Sequence, residues 1–301
     1  MKDGKKITVI VITYNMCELL KNALESLKNQ ICNEFEVIVV DNHSTDETES
    51  LINNFIGLDL KYCKVHNNGI LSISRNQGIR LAEGEWVAFL DADDSWEPNK
   101  IAELKKIIDS NLDKEIVAIS HDYLVKDIKT NKSQVYKCGS DAIDFQKDLV
   151  LKKNSLALTA TMVRKDALEK IDGFSELDEL KTVEDYDCWI RLAGIGKFLF
   201  VHKVLATINI HDGNYSKKAD IQMNALNFLK HKYIDRDLEA SYTQEEKLNA
   251  YVECDILRAR LLQKNGFFEL AEEICVDLLK RSVFKPKVIL IYLFSVLKIT
   301  R

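Results

Sequence analysis

Two acidic clusters stand out in the sequence, because each crowds like charges into a short stretch. The first, DADD, places Asp91, Asp93 and Asp94 directly behind the apolar run WVAFL. Two unit charges about 4 Å apart repel by roughly 4 kcal/mol at an effective dielectric of 20. A divalent cation removes that penalty, and carboxylates are suitable ligands for Mg²⁺ or Mn²⁺, which often join them to substrate phosphates. The stretch therefore predicts a metal and phosphate site.

The second acidic cluster lies in VEDYDCWIRLA, where Glu184, Asp185 and Asp187 stand at the start of a predicted helix. Carboxylates at a helix N-terminus are favoured by the helix dipole, which is one interpretation of the cluster. The other is a general base, since a carboxylate within hydrogen-bond reach can take a proton from a hydroxyl group and a neighbouring carboxylate can tune its pKa. The residues alone leave both interpretations open.

Further polar groups follow the predicted strands. TYN (Thr13–Asn15) comes after the first strand and DNHSTD (Asp41–Asp46) after the second, although the latter could also be a turn with a helix cap. In open parallel sheets, ligands bind outside the carboxyl ends of the strands. The glycine patterns that hold phosphates are absent, which leaves that role to a metal, with Arg75 as a candidate partner for a nucleotide. His211 is a lone histidine behind a later strand.

Alternating strand and helix patterns in the first hundred residues predict a parallel sheet built from βαβ units. The predicted strands there are 7–12, 35–40, 60–64 and 86–90. The predicted helices include one opened by the capping-box pattern STDE (Ser44–Glu47), one at 72–82 and one starting near Ser95. Shorter strands are predicted at 116–123, 134–138, 159–164, 198–201 and 205–210, and a helix at 184–192. Beyond Asp220 the sequence predicts helices to the end, with a turn at Asn265–Gly266.

Composition limits the classes of function. The chain has 301 residues, a formal net charge of −5 and a pI near 5.8, so no overall basic field attracts nucleic acid or an anionic membrane. Its seven cysteines are odd in number and scattered, which favours free thiols in a reducing cytosol. The first apolar run is typical of a strand and not of a signal peptide. Residues 288–297 are about half of what a membrane-spanning helix needs.

Taken in order, these motifs resemble one family. The segments VIVITYN, VIVVDNHSTDET, NNGILSISRNQGIRLAEGEWVAFLDADDSWEPNKI, TATMVRKDALEKIDGF, VEDYDCWIRLA and INIHDGNYS are similar to those of family 2 inverting glycosyltransferases with the GT-A fold. The resemblance runs from about Ile7 to Ser216. It implies a Rossmann-like mixed α/β sheet flanked by helices, with a catalytic domain at 1–217 and a C-terminal helical extension at 218–301.

The resemblance also implies roles for individual residues. Positions expected to bind the nucleotide, usually a uridine nucleotide, are Thr13, Tyr14, Asn15, Asp41, Arg75, Asp91 and Ala92. Positions expected to hold Mn²⁺ or Mg²⁺ are Asp93, Asp91 and His211, with Asp93 as the most direct ligand. Asp185 is expected to be the catalytic base, with Glu184 beside it placed to touch the acceptor. Asn209 departs from the family, since an arginine often precedes the histidine there.

The implied activity is transfer of a sugar from a nucleotide-diphosphate donor to a hydroxyl of a saccharide or lipid-linked saccharide, in surface polysaccharide biosynthesis. Nucleotidyl transfer and a catalytically silent sugar-nucleotide-binding subunit are the alternatives. A cytoplasmic location follows, with peripheral contact at the inner face of the membrane through KPKVILIYLFSVLKITR. A packing or dimerising bundle is the alternative interpretation of that tail, and nucleic acid is not expected as a partner.

Overall fold

The computed structural model describes residues 7–110, 112–140, 142–211, 219–238, 241–264, 266–281 and 285–298. Most of the motif HDGNYS behind the last strand, and Asn265 of the predicted turn, lie outside the described residues. The described chain forms two compact units.

The first unit is built on one mixed sheet. Its strands are β1 (Ile7–Thr13), β2 (Phe35–Asp41), β3 (Leu60–Lys64), β4 (Trp86–Asp91), β5 (Ser95–Trp96), β6 (Ile116–Asp127), β7 (Ser133–Tyr136), β8 (Thr161–Arg164) and β9 (Lys197–Ile210). The order in the sheet is β3-β2-β1-β4-β8-β6-β9-β5, and β7 pairs with β6. β3, β2, β1 and β4 are parallel, β8 is antiparallel to β4 and β6, and β9 is parallel to β6. The predicted mixed α/β fold is confirmed.

Helices occur in both units. They are α1 (Cys17–Lys28), α2 (Thr48–Asn54), α3 (Leu71–Leu81), α4 (Lys100–Asp109), α5 (Phe145–Leu151), α6 (Lys165–Lys170), α7 (Glu184–Ala193), α8 (Ala219–His231), α9 (Gln244–Lys264), α10 (Phe268–Lys280) and α11 (Pro286–Val296). β1 and β2 are buried along almost their whole length, as expected for parallel strands covered on both faces. The apolar stripe of α1, spaced at 3.6 residues per turn, packs into the same core.

The predicted capping box at Ser44–Glu47 is wrong. α2 begins at Thr48, and no side chain caps it from the preceding residue. The hydroxyl and N–H of Ser44 bind the Asp41 carboxylate instead, and the N–H of Thr48 donates to Oδ1 of Asp46 at 3.1 Å. The loop is therefore held by Asp41, the last residue of β2.

Two further predictions near the sheet edge are wrong for a tertiary reason. The helix expected from Ser95 begins at Lys100, because Ser95 and Trp96 pair with Thr207 and Ala206 of β9. Residues 198–201 and 205–210 form one strand, β9, because both parts pair with the long β6. Long-range strand pairing overrides the local pattern in both cases.

Gly78 allows α3 to lie close against β1. A Cβ added there would lie 2.6 Å from Cγ2 of Ile10, which is closer than atoms can pack. We expect Gly78→Ala to lower the free energy of unfolding by about 1–3 kcal/mol, because overpacking outweighs the helix propensity gained. Urea denaturation measures the change, and Arg80→Ala on the exposed side of the same helix is the control. A Gly78→Ala protein as stable as the control would contradict this close packing.

The second unit comprises residues 147–153 and 179–183 together with the described tail from α8 onward. Its core joins α9, α10 and α11 through Val252, Ile256, Ala259, Leu262, Ala271, Cys275, Leu278, Val288 and Ile291. The two helices predicted on either side of the Asn265–Gly266 turn are confirmed by α9 and α10. Within the described ranges, no helix combines the length and apolar character needed to cross a membrane. The domain boundary at residue 217 stays a prediction.

Candidate active site

Three predicted site residues lie at one edge of the sheet. In the parallel register Thr13 pairs with Asp41 across β1 and β2, and Ile12 pairs with Asp91 across β1 and β4. Thr13 and Asp41 are buried, while Asp91 is partly exposed. The sheet itself therefore brings the three side chains to adjacent strand ends.

The Asp41 carboxylate organises the loop behind β2. Oδ1 accepts hydrogen bonds from the N–H and hydroxyl of Ser44 at 2.9 and 2.5 Å, and Oδ2 accepts one from the Tyr62 hydroxyl at 2.8 Å. Burial, followed by the bond to Asp41, raises the pKa of Tyr62, so its hydroxyl keeps the proton that it donates. The loop geometry at the predicted nucleotide site is held by this buried charge.

The turn behind β1 is tied to the same loop. The N–H of Asn15 donates to the Ser44 hydroxyl at 2.9 Å, and Oδ1 of Asn15 accepts from the N–H of Thr45 at 2.7 Å. Tyr14 is 53% exposed, so its ring lies at the surface of the edge. Oγ1 of Thr13 is buried and has no hydrogen-bond partner among the described residues. Such an orphaned polar atom fits contact with a ligand.

The DADD segment forms a turn at the end of β4. The N–H of Asp94 donates to the carbonyl of Asp91 at 3.0 Å, with Ala92 buried between them. Nε2 of His211 lies 3.0 Å from Oδ2 of Asp93, so the strand order brings together two groups 118 residues apart. Asn209 fixes the turn, as its side chain donates to the Asp93 carbonyl at 2.8 Å and its N–H donates to Oδ1 of Asp94 at 3.2 Å.

The chemistry of this turn fits a divalent cation. Burial, followed by the charge of Asp91, raises the pKa of Asp93, while His211 opposes that rise. Burial, followed by the charges of Asp91 and Asp93, raises the pKa of Asp94. Burial and mutual repulsion therefore both disfavour the charged forms of Asp93 and Asp94. The donor set of Asp91, Asp93 and His211 suits Mn²⁺ or Mg²⁺, and its role as ligand set stays a prediction.

Arg75 links the two acidic clusters. It is buried in α3, and its Nη1 donates to Oε1 of Glu184 at 2.5 Å while its Nη2 donates to Oδ1 of Asp91 at 3.3 Å. The guanidinium carbon lies 5.7 Å from the centre of the Phe174 ring. Arginine suits this position because its fork can satisfy two carboxylates at once. The arrangement fixes the start of α7 next to the end of β4, and the predicted nucleotide contact of Arg75 stays a prediction.

Asp185 lies in the first turn of α7, beside Glu184. Burial, followed by the neighbouring Glu184 charge, raises the pKa of Asp185 to about 7, while Arg75 opposes the shift. One carboxylate oxygen of Asp185 accepts from its neighbour's N–H at 2.7 Å, and the other accepts from Nδ2 of Asn154 at 3.4 Å. The third carboxylate of the cluster, Asp187, is fully buried and accepts from Nε of Arg191 at 2.7 Å, which is a structural role.

Three residues near the site had no distinct signal in the sequence. Asn154 approaches Asp185 from a loop, and no motif marks it. Asn76 follows Arg75 in the SRNQG motif and binds the backbone N–H and carbonyl of Phe174, each at 2.8 Å. Tyr123 on β6 is close enough to Asp185 that this carboxylate contributes to its pKa of about 12, after burial and Tyr136.

Two of these residues could have been inferred from the primary structure in part. For Asn76 the partial signal is its position next to Arg75 in the predicted helix 72–82. Tyr123 stacks on Tyr136 with ring centres 5.6 Å apart, and aromatic pairs across neighbouring strands are a known device of sheets. Their closeness to the second acidic cluster could not be inferred, because it depends on the position of α7.

The sheet order and the carboxyl-edge site define a GT-A type of α/β fold. The mannosyltransferase PcManGT from Pyrobaculum calidifontis, solved in complex with GDP-Man and Mn²⁺, shares the fold with a TM-score of 0.62 at 18% identity. That match covers 97% of this chain and 80% of that one. The profile of Glycosyl transferase family 2 matches residues 8–172, and the chain belongs to this family.

Curated relatives match over a similar region. An uncharacterized glycosyltransferase of Rickettsia typhi is 28% identical over 215 residues, which are 71% of this chain and 66% of that protein. This chain thus spans about two thirds of that relative's length. WfaP of Escherichia coli, a UDP-Glc:alpha-D-GlcNAc-diphosphoundecaprenol beta-1,3-glucosyltransferase, is 26% identical over 216 residues, covering 70% of this chain and 79% of WfaP.

Proposed function

We propose that the chain is an inverting glycosyltransferase that moves a sugar from a UDP-sugar to a hydroxyl of a saccharide or lipid-linked saccharide in surface polysaccharide biosynthesis. One observation carries the proposal: buried Arg75 joins Asp91 of the first acidic cluster to Glu184 of the second, with Asp185 at a pKa of about 7 beside them. The proposed donor-binding turn and the proposed base are thereby held at fixed positions within the first unit. Family membership supports the same reaction class.

Asp185 acts on the acceptor. Its carboxylate accepts the proton of the acceptor hydroxyl as the oxygen attacks the anomeric carbon in line, which inverts that carbon. Oε2 of Glu184 is buried and has no hydrogen-bond partner among the described residues, which fits contact with an acceptor hydroxyl. Arg75 keeps the Glu184 carboxylate in place and limits the pKa of the base. In this proposal Glu184 orients the acceptor hydroxyl, and Asp185 takes its proton.

Asp91, Asp93 and His211 would hold the divalent cation on the donor side. When bound there, the ion supplies Lewis-acid stabilisation of the charge that develops on the leaving diphosphate. Asp41, Thr13 and the turn after β1 form the proposed nucleotide contacts. Holding donor and acceptor side by side lowers the entropic part of the barrier.

The donor named for WfaP supports a UDP-sugar, while PcManGT was solved with GDP-Man. A panel of UDP- and GDP-sugars with Mn²⁺, read by product mass, tests the proposal. We expect sugar transfer and release of the nucleoside diphosphate. Binding without turnover would support a silent subunit, and release of pyrophosphate would support nucleotidyl transfer, so either result would overturn the proposal.

The acceptor is proposed to approach along β6 and β7. Tyr123 and Tyr136 stack there at an interplanar angle of 8°, and Tyr136 is 42% exposed. Aromatic rings with polar hydroxyls present an apolar face and a hydrogen-bonding edge, which suits a sugar ring. The charge of Asp185 contributes to the raised pKa of Tyr123, so the tyrosine pair lies near the proposed catalytic base.

A lipid-linked acceptor would make a membrane-facing surface useful, and α11 offers one. Exposed apolar side chains on this helix and at the residue after it are Ile289, Leu290, Leu293, Val296 and Leu297, between 43% and 63% exposed. The exposed lysines Lys287 and Lys298 flank them. An apolar helix face with basic flanks suits the interface of an anionic membrane, which is the partner that we propose for it. A homodimer through the same face is the competing outcome.

We expect Ile289→Glu together with Leu293→Glu to reduce flotation with anionic liposomes by about tenfold, because two exposed apolar side chains that would enter the membrane interface are replaced by charges that the anionic surface repels. Point variants are preferable to removing α11, since Val288 and Ile291 belong to the core of the second unit. Leu248→Glu on α9, at a residue that is 58% exposed, is the control. Equal flotation of the double variant and wild type would contradict membrane contact, and loss of a dimer by size-exclusion chromatography would assign the face to self-association.

A further inference from the structure

We propose a second metal site, for a zinc-like transition-metal ion, at Asp122 on β6, Cys138 behind β7 and His202 on β9. One ligand atom from each of these side chains lies within 4.8 Å of the other two. The three residues come from separate parts of the chain and do not include Asp91, Asp93 or His211. The proposal therefore stands independently of the proposed function.

The pairing of β6 with β9 is interrupted at this point. His121 pairs with Val201, and the next pair is Asp122 with Val204, so His202 and Lys203 bulge out of β9 opposite Asp122. A bulge redirects side chains and is often found next to functional sites. Here it brings Nδ1 of His202 to 3.3 Å from Oδ1 of Asp122.

The segment behind β7 is fitted closely against the same bulge. The N–H of Cys138 donates to Oδ1 of Asp122 at 2.9 Å. The residue Cys138 as a whole is 4% exposed. The next residue, Gly139, has a φ of +90°, and a Cβ there would lie 2.5 Å from the Phe200 ring. Only glycine fits this left-handed turn, which keeps Cys138 beside Asp122.

The ligand types indicate which ion would bind. Thiolate, imidazole and carboxylate are the zinc ligands of proteins, and three protein ligands with an open position for water are a common zinc arrangement. Without a metal, burial followed by Asp122 raises the pKa of the Cys138 thiol to about 12, so the free thiol keeps its proton. Binding of the ion would form a metal–sulfur bond and release that proton to water. A soft thiolate disfavours Mg²⁺ and Mn²⁺, which separates this site from the DADD turn.

The site would fix the β6–β7 hairpin. Asp122 is the neighbour of Tyr123, which stacks on Tyr136 in β7, and Cys138 follows β7 by two residues. A bound ion would thus join the hairpin to β9 at the point where the pairing is irregular. The ion would link β6, the segment behind β7 and β9, and its open position would stay available to water.

Titration of the metal-free full-length chain with Co²⁺ tests the proposal, since Co²⁺ bound to a thiolate gives a near-ultraviolet charge-transfer band. We expect one equivalent of Co²⁺ to produce the band and Zn²⁺ to displace it. Cys138→Ser should abolish the band, and His202→Ala should weaken Co²⁺ binding by about tenfold or more. His202 has a side chain that is 65% exposed, so its variant should fold even if Cys138→Ser does not.

Two control variants test whether the charge-transfer band comes from the site at Cys138. Cys63→Ser removes a half-buried thiol elsewhere in the sheet and should leave the band unchanged. Asp93→Ala removes a carboxylate of the DADD turn and should also leave it unchanged. Absence of a thiolate band in the wild-type chain, or a band that survives Cys138→Ser or is unaffected by His202→Ala, would overturn the proposal.

Discussion

Replacing Asp185 by Asn is expected to lower kcat by about 10²–10⁴-fold, the usual contribution of a general base, with little change in donor affinity. The amide keeps nearly the same shape and can still accept from the N–H of Tyr186 and approach Asn154. It cannot take a proton from the acceptor hydroxyl. Steady-state kinetics combined with equilibrium binding of the donor separate the two effects.

The pH dependence of kcat provides a second readout of the same group. A base must be unprotonated to act, so kcat should rise with pH below about 7 and level off above it, following the pKa of Asp185. Burial and the Glu184 charge raise this pKa, and Arg75 lowers it. Glu184→Gln should therefore move the rising limb to lower pH. Any residual activity of Asp185→Asn should lack that limb.

Asp187→Asn is the matched control, because it removes a carboxylate from the same helix. Asp187 binds Nε of Arg191 and is fully buried, so its loss should lower the free energy of unfolding and leave the rising pH limb in place. Normal turnover by Asp185→Asn, or a pH profile that Asp185→Asn leaves unchanged, would contradict the assignment of the base.

The parallel half of the fold could be predicted from the sequence because its signals are local. β1 and β2 carry apolar runs of strand length, and α1 between them carries an apolar stripe at helical spacing. The predicted bounds of these strands differ from the observed ones by a single residue at most. The carboxyl-edge location of Thr13, Asp41 and Asp91 follows directly from parallel pairing.

The rest depends on contacts between distant parts of the chain. Arg75 and Glu184 are 109 residues apart, and no spacing rule predicts that a guanidinium would link them. The helix pattern after Ser95 was misleading, because β5 gains its hydrogen bonds from β9. The bulge beside Asp122 is likewise a property of β6 and β9 as a pair. Sequence patterns report local periodicity, whereas these features are fixed by tertiary packing.

Replacing Asp93 by Ala is expected to weaken metal-dependent donor binding by about 100-fold or more. Loss of an outer-shell partner of a metal site typically costs 10–100-fold, and a direct ligand should cost at least as much. His211→Ala should have a smaller effect, about tenfold, since the carboxylates remain. Titration of a UDP-sugar with Mn²⁺ and with EDTA gives the metal-dependent part of the affinity for each variant.

Asp94→Asn separates a ligand from a structural carboxylate in the same turn. Asp94 is 5% exposed, and its Oδ1 accepts from the N–H of Asn209, a bond that the amide oxygen of asparagine can also accept. Because burial, followed by the charges of Asp91 and Asp93, raises the pKa of Asp94, a neutral amide at this position relieves both penalties in the turn. Asp94→Asn should therefore keep metal-dependent donor binding. If instead Asp93→Ala kept it and Asp94→Asn lost it, the cation would be held by the opposite side of the turn, and the predicted ligand set would be wrong.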